Sequence, residues 1–206
     1  MTGHLKVAVL LAGLLLIFVA LPAPAQEPPE EPLPVGATAP DFSVATLEGN
    51  QVSLSGWRGH VVVLNYFITW YRDAARHLGV MESLATKYSP QGLRLLSISL
   101  DEGQSGRDAT AAFITERNIA HPVVADPDQA IASRYGVRAL PAIFIIDAQG
   151  RIARYHEGYM EGDETWIESM ISEVLAAAPA GETATAPEET PADQEPVCHC
   201  FKQQEQ

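Results

Sequence analysis

The sequence contains little cysteine and little positive charge. Its 206 residues include only two cysteines, Cys198 and Cys200. Disulfide bonds across the chain are therefore excluded, and a folded domain must be stabilised by a hydrophobic core. The chain carries 13 basic and 26 acidic residues, a formal net charge of −13. Such an acidic chain does not attract phosphate backbones, so we expect no nucleic-acid partner.

Several patterns of enzyme chemistry are missing as well. The sequence has no glycine-rich phosphate loop and no serine nucleophile elbow with histidine and aspartate partners. The acidic pair Asp101 and Glu102 is interpreted as a solvated strand end, with a loop near a site as the alternative. Four histidines follow no ligand spacing and are interpreted as surface or boundary residues: His60, His77, His121 and His156.

The N-terminal segment has the pattern of a secretory signal. His4 and Lys6 precede an apolar run over residues 7–21, and Ala23-Pro-Ala25 is an A-x-A cleavage site. The run has 15 residues, whereas a membrane span needs about 20. We expect residues 1–25 to be removed and the protein to be periplasmic or otherwise extracytoplasmic. An uncleaved signal segment would be its only membrane contact.

Composition divides the remaining chain into three parts. Residues 26–34 are rich in proline and glutamate, which predicts a linker. Residues 179–206 contain few large apolar residues and are predicted to be a disordered acidic tail. The folded domain is therefore expected over residues 35–178.

Strand and helix patterns alternate within that domain. Hydrophobic periodicity predicts strands at 61–67, 93–100, 122–125, 142–146 and 151–156. It predicts helices at 75–88, 109–117 and 164–178, and a short helix that follows Asp126-Pro-Asp128 and runs through Tyr135. The order is a βαβ unit followed by a β-hairpin and a helix. It predicts an α/β fold with a central mixed sheet and helices on both faces.

Three stretches in this order carry a family resemblance. Ala39-Pro-Asp-Phe42 precedes residues 47–54, residues 59–70 run through a buried strand to a tryptophan, and residues 135–147 contain a Leu-Pro pair before the next strand. Together they resemble the redoxin branch of the thioredoxin superfamily, and most of all the exported TlpA/ResA-like thiol–disulfide oxidoreductases. The resemblance implies a thioredoxin-like fold with an N-terminal β-hairpin extension.

The sequence departs from this family at the redox motif. Relatives carry Cys-x-x-Cys after the tryptophan, whereas Trp70 is followed by Tyr71-Arg72-Asp73-Ala74. A phenol has a pKa near 10 and forms no exchangeable bond to sulfur, and Ala74 has no reactive group. Dithiol exchange and thiol peroxidase chemistry are therefore excluded at these positions.

The resemblance also implies a peptide-binding face. In the family, the proline that matches Pro141 is cis and faces the redox motif, so Trp70, Tyr71, Arg72, Leu140 and Pro141 would share one exposed face. Either this face is a groove that binds an extended segment of another exported protein without chemistry, or it is a vestigial surface. Asp73 is predicted to cap the following helix.

The tail motif Cys198-His199-Cys200 leaves further functions open. Two thiols and an imidazole suit Cu(I) or zinc, which would make the chain a metal carrier. Alternatively, the two thiols act as a mobile dithiol on a tail with a reach of about 25 Å, or they form an interchain disulfide. The last alternative is that the two cysteines have no function. We favour a redox-inactive binding module, with an oxidoreductase that uses Cys198 and Cys200 as the alternative.

Overall fold

The computed structural model describes residue 29 and residues 31–178. The strands are β1 (Ser43–Ala45), β2 (Gln51–Ser53), β3 (Val61–Phe67), β4 (Leu93–Ser99), β5 (Val123–Ala125), β6 (Ala142–Ile146) and β7 (Ile152–Glu157). The helices are α1 (Ala74–Tyr88), α2 (Gly103–Glu116), α3 (Ala130–Tyr135) and α4 (Asp163–Ala177). The predicted signal, residues 1–25, and the predicted tail, residues 179–206, lie outside the described residues.

The central sheet has five strands in the order β5-β4-β3-β6-β7. Strands β3, β4 and β5 are parallel, whereas β6 is antiparallel to both β3 and β7. β1 and β2 form a separate antiparallel pair. These findings confirm the predicted mixed sheet and the N-terminal hairpin.

Hydrophobic cores cover both faces of the sheet. Helices α1 and α4 pack on one face through Met81, Leu84, Ile167 and Ile171. Helix α3 and the β1–β2 hairpin cover the other face, where Tyr135 packs with residues of β3, β4 and β6. The segment predicted as a linker already contacts the folded domain, because Leu33 donates its backbone N–H to the Tyr135 carbonyl at 3.1 Å. No helix in the described part of the chain combines the length and apolar character that crossing a membrane requires.

Helix α2 begins six residues before its predicted start. Its first turn contains Gly103 and Gly106, which lower helix propensity and hide the helix from the sequence pattern. A Cβ at position 106 would lie 2.5 Å from the carbonyl carbon of Asp101. Gly106 therefore allows the helix to pack directly on the end of β4.

Asp126 fixes the start of α3. Its buried carboxylate accepts the backbone N–H groups of Ile131 and Ala132, each at 2.9 Å. The helix ends at Gly136, where φ is +67°, a conformation that glycine adopts without a steric penalty. Together these residues set the path of the segment that leads to Leu140 and Pro141.

A row of buried polar side chains crosses the sheet beneath α1. His77 Nε2 lies 2.6 Å from Asn65 Oδ1, and Asn65 Nδ2 donates to Ser97 Oγ at 3.0 Å. Ser97 Oγ lies 2.8 Å from His121 Nε2, and His121 Nδ1 lies 2.7 Å from Glu82 Oε2. We call this set, His77, Asn65, Ser97, His121 and Glu82, the polar row. His77 and His121 are both buried, so their interpretation as surface or boundary residues was wrong.

We predict that loss of the Asp126 acceptor destabilises the domain. Asp126→Ala should lower the free energy of unfolding by about 1–3 kcal/mol, because two buried amides lose their partner. Asp126→Asn keeps an oxygen acceptor and should lose less. Urea denaturation measures both variants, and an alanine variant as stable as the wild type would contradict this role.

The polar row also predicts a pH dependence of stability. Burial, aided by the nearby His156, lowers the pKa of His77 from 6.5 to about 4. As the pH falls through this window, the unfolded chain takes up the proton first, so the free energy of unfolding should fall, by at most about 3 kcal/mol from this group.

The matched variant is His77→Gln, which keeps an N–H donor for Asn65 but does not titrate. Its stability should depend less on pH than that of the wild type between pH 6.5 and 4. Denaturant titrations at several pH values provide the comparison. Parallel profiles for the two proteins would show that His77 does not titrate in this way.

Candidate functional site

The candidate site lies where the parallel strands β3 and β4 end. The chain leaves β3 through residues 68–73 and enters α1 at Ala74. The carboxyl ends of parallel strands and the start of a helix commonly form ligand sites, because loops and free amides meet there.

The buried carboxylate of Asp101 holds this loop in place. Its Oδ2 accepts the backbone N–H of Thr69 at 2.9 Å, and its Oδ1 accepts the Thr69 hydroxyl at 3.1 Å. The hydroxyls of Ser99 and Thr110 also donate to it, at 2.8 and 3.3 Å. Asp101 is 6% exposed, so the interpretation of a solvated strand end was wrong for this residue. It is a positioning group for the loop.

The two positions of the missing dithiol are occupied by groups without redox chemistry. Ala74 is the first residue of α1 and is buried. Tyr71 is half-buried, and its hydroxyl donates to the Tyr159 carbonyl in a long hydrogen bond of 3.4 Å. Neither side chain can form or accept a disulfide, and the sequence has no cysteine among residues 29–178.

Asp73 occupies the predicted N-cap position of α1, but its side chain makes no capping hydrogen bond. Its carboxylate instead lies 3.4 Å from the guanidinium of Arg72, whose side chain is 91% exposed. A pair this open to solvent contributes little to stability. The prediction that Asp73 occupies the N-cap position of α1 is therefore confirmed, but the expected capping hydrogen bond is not formed.

The Leu140–Pro141 peptide bond is cis, as the resemblance implied. Pro141 is buried, so it does not belong to the exposed face on which it was expected. Its carbonyl accepts the N–H of Gly158 at 2.8 Å. This bond ties the proline loop to the loop after β7.

A groove of about 680 Å³ lies between the β3–α1 loop and the proline loop. Trp70 lies at the edge of the groove, and 78% of the residue's surface is exposed. The backbone N–H and carbonyl of Leu140 form no hydrogen bond with any of the described residues. The lining residues are Ile68, Trp70, Tyr71, Leu100, Glu102, Gln129, Val137, Arg138 and Leu140. Over the described part of the chain, the groove therefore combines an exposed apolar side chain with unpaired backbone groups of Leu140 at one edge.

The structure brings together most of the residues predicted for this face. Trp70, Tyr71 and Leu140 line the groove, and Arg72 is exposed one residue beyond Tyr71. The tail residues Cys198, His199 and Cys200 lie outside the described residues. Over residues 29 and 31–178, no group of three or more histidine, cysteine, aspartate or glutamate side chains is placed to hold a metal ion.

Sequence reasoning missed His77, which lines a small cavity below Tyr71. Its side chain is fully buried, and Nδ1 has no hydrogen-bond partner among the described residues. Two signals could have found it. His77 falls in the apolar stripe of α1, one turn after Ala74 and one turn before Met81, and Asn65 interrupts an otherwise apolar strand.

Sequence comparisons identify the relatives. The model of the AhpC/TSA family matches residues 35–155. The thiol–disulfide oxidoreductase ResA of Geobacillus thermodenitrificans is 32% identical over 130 residues, which are 63% of this chain and 73% of that protein.

Solved structures agree with the fold. A crystal structure described as a thiol:disulfide interchange protein DsbE from Chlorobium tepidum is 29% identical, with a TM-score of 0.64, and the match covers 69% of this chain and 99% of that one. A secreted Mycobacterium tuberculosis disulfide oxidoreductase homologous to Escherichia coli DsbE is 18% identical, with a TM-score of 0.56 over 64% of this chain and 95% of that one. The last match bears on the fold alone. The chain belongs to the AhpC/TSA family and, within the thioredoxin superfamily, to its ResA-like thiol–disulfide oxidoreductases.

Proposed function

We propose that this protein is an exported member of its family that binds an extended segment of another exported protein and is redox-inactive at the usual site. The observation that carries the proposal is the contrast within one site. Tyr71 and Ala74 occupy the dithiol positions, whereas the groove beside them has an exposed tryptophan and, at Leu140, backbone groups without a hydrogen-bond partner among residues 29 and 31–178.

The chemistry at the start of α1 supports redox inactivity. Disulfide exchange requires a thiolate that attacks one sulfur and a second thiol that resolves the mixed disulfide. Tyr71 offers a phenol and Ala74 a methyl group, so neither step has a reacting atom here. The remaining thiols of the sequence are Cys198 and Cys200.

The shape of the groove supports binding of an extended peptide. A peptide that lies beside residues 138–140 can exchange backbone hydrogen bonds with them, as a strand does at a sheet edge. Trp70 supplies a large apolar surface, the residue type that most often dominates binding energy. Glu102 and Arg138 on the lining place one charge of each sign beside the bound segment.

Export is supported by the apolar run over residues 7–21 and the A-x-A site that follows it. In such a compartment, the partner would be another exported protein.

We predict that the protein lacking residues 1–25 does not reduce insulin disulfides, with or without residues 179–206. The reason is that residues 71 and 74 carry no thiol. The double substitution Tyr71→Cys and Ala74→Cys is the matched control, since it places a dithiol at the start of α1 and should produce measurable reduction. Turbidity of insulin in dithiothreitol measures the activity.

Two outcomes of this assay would contradict the proposal in different ways. Activity that disappears in Cys198→Ser/Cys200→Ser would move the chemistry to the tail and make the protein an oxidoreductase. Activity that persists in that variant would mean that a group other than a thiol reacts.

We also predict that Trp70 dominates peptide binding. Reduced and carboxymethylated α-lactalbumin serves as the unfolded probe, and fluorescence anisotropy measures its affinity. Trp70→Ala should weaken binding by about tenfold or more. The control is Trp166→Ala, because Trp166 is also exposed, at 45%, but packs against His156 outside the groove. Equal effects of the two substitutions, or no binding by the wild type, would overturn the groove as the binding site.

A further inference from the structure

The first half of β4 has an open edge on the side of β5. Strand β3 pairs with β4 along residues 93–99, whereas β5 pairs only with residues 97–99. Residues 93–96 therefore have a neighbouring strand on one side only. A sheet edge of this kind can take up another extended chain.

The hydrogen bonds of β4 show which backbone groups face this open edge. Ser97 donates its N–H to the Pro122 carbonyl on the β5 side. Leu100 donates its N–H to the Phe67 carbonyl on the β3 side. Because alternate residues of a strand direct their backbone groups to the same side, those of Leu95 face the open edge. Leu95 forms no hydrogen bond there with any of the described residues.

Two features prevent β5 from covering Leu95. The next step of the parallel ladder would need an N–H at residue 122, and Pro122 has none. The two preceding residues, Ala120 and His121, donate their backbone N–H groups to Glu82 of α1, at 2.9 and 3.1 Å. Their donors are thus committed to the helix, and the edge at Leu95 stays open.

A groove of about 260 Å³ lies along this edge, and we call it the β4 notch. Residues 93–95 form its floor, Glu82 belongs to the wall on the α1 side, and Arg94 and Trp57 form the opposite wall. Arg94 alternates with Leu95, whose side chain packs in the core beneath α1. The two charged side chains therefore lie on opposite faces of the sheet.

Both charged side chains of the notch have unused binding capacity. Glu82 accepts three hydrogen bonds at Oε2, from Ala120 and from the backbone and ring of His121, and its Oε1 has no donor among the described residues. Arg94 is half-buried, and its guanidinium donates only to the adjacent Leu93 carbonyl, at 3.2 Å. Within residues 29 and 31–178 it forms no ion pair. Each side chain can thus take a group of opposite charge.

We propose that the β4 notch binds an extended segment of another protein as an additional strand, and that this segment carries a basic residue directly beside an acidic residue. Successive side chains of a strand point to opposite faces, so the two neighbours reach opposite walls of the notch. The basic side chain meets Glu82, and the acidic side chain meets Arg94. The backbone between them pairs with Leu95.

The chain's own segments outside the described residues do not supply such a pair. Residues 1–25 contain no acidic residue, and residues 26–30 contain no basic residue. Lys202 is the only basic residue among residues 179–206, and its neighbours are Phe201 and Gln203. We therefore assign the occupant to a different polypeptide.

The notch is separate from the peptide groove. Leu93 lines the notch at the start of β4, and Leu100 lines the groove just after the end of this strand. Seven residues of extended chain separate the two positions by about 20 Å. Binding at the notch therefore does not depend on binding at the groove.

The test compares two peptides of identical composition and charge. In Ac-Thr-Val-Lys-Glu-Lys-Val-Thr-amide, lysine and glutamate are neighbours and point to opposite faces of a strand. In Ac-Thr-Lys-Val-Glu-Val-Lys-Thr-amide, all charges lie on one face. We expect the first peptide to bind about two- to fivefold more tightly, the range of one exposed ion pair. Chemical-shift titration of the ¹⁵N-labelled full chain measures both affinities.

A charge reversal at Arg94 tests the acidic contact. Arg94→Glu should weaken binding of the first peptide by about fivefold or more, because an attraction becomes a repulsion. Arg107→Glu is the matched control, since Arg107 is also half-buried and without an ion pair among the described residues but does not line the notch. Equal effects of the two substitutions would overturn the proposed contact.

Hydrogen exchange of backbone amides locates the peptide in the wild type, even if Arg94→Glu does not fold. Exchange at Leu95 should slow by about tenfold when the first peptide saturates the protein, because its N–H gains an acceptor. Exchange at Ser97 should change less, since its N–H already donates to Pro122.

The remaining outcomes identify other occupants of the edge. Equal affinity for the two peptides, or unchanged exchange at Leu95, would overturn the proposal. Protection of Leu95 that is present without peptide and is lost on removal of residues 179–206 would assign the edge to the protein's own tail. Protection that rises with protein concentration would assign it to a second copy. Either result would also overturn the proposal, and the function of the groove is tested separately by Trp70→Ala.

Discussion

The parallel pairing of β3 with β4 is the constraint on which the rest of the structure depends. Seven residue pairs, from Val61 with Leu93 to Phe67 with Ser99, align the two strands so that both end at the same edge of the sheet. The loop that carries Trp70 leaves one strand, and Asp101 follows the other. Because the register is fixed, the carboxylate of Asp101 meets the backbone of Thr69 without any adjustment of the core.

Most of the fold could be predicted because its central strands β3, β4 and β6 are buried on both faces. Nearly continuous apolar runs such as residues 61–67 are stable only at the centre of a covered sheet. The start of α2 could not be predicted in this way. Gly103 and Gly106 argue against a helix locally. The close approach to Asp101 explains the glycine at position 106, and the positive φ of +66° explains the glycine at position 103. Tertiary contact overrode local propensity there.

The candidate site was predicted in its exposed part and missed in its buried part. The positions of Trp70 and Tyr71 follow from a motif, which is a local property of the sequence. Asp101 and His77 depend on partners that are distant in the chain, since Thr69 is 32 residues from Asp101 and Asn65 is 12 residues from His77. A polar residue inside an apolar pattern signals such a partner, but it does not identify it.

The β3–α1 loop holds Trp70 in an exposed position at a cost in stability, beside the dithiol positions that Tyr71 and Ala74 occupy. A tryptophan that stays 78% exposed gives up most of the apolar burial that its ring could gain, a few kcal/mol by area. Nothing in the core requires this position, because Trp70 makes no part of the buried clusters. The loop is nevertheless held by two hydrogen bonds from Thr69 to Asp101, whose carboxylate also accepts the hydroxyls of Ser99 in β4 and Thr110 in α2.

A rigid loop that presents an apolar side chain to solvent lowers the entropy lost when a partner binds. A vestigial surface would gain nothing from that rigidity, and it would gain stability from a loop that folds its tryptophan inward. The network around Asp101 is therefore consistent with the proposed binding role. It positions Trp70 and the edge of the groove, and this role does not depend on the presence of a thiol at either end of the Tyr71–Ala74 segment.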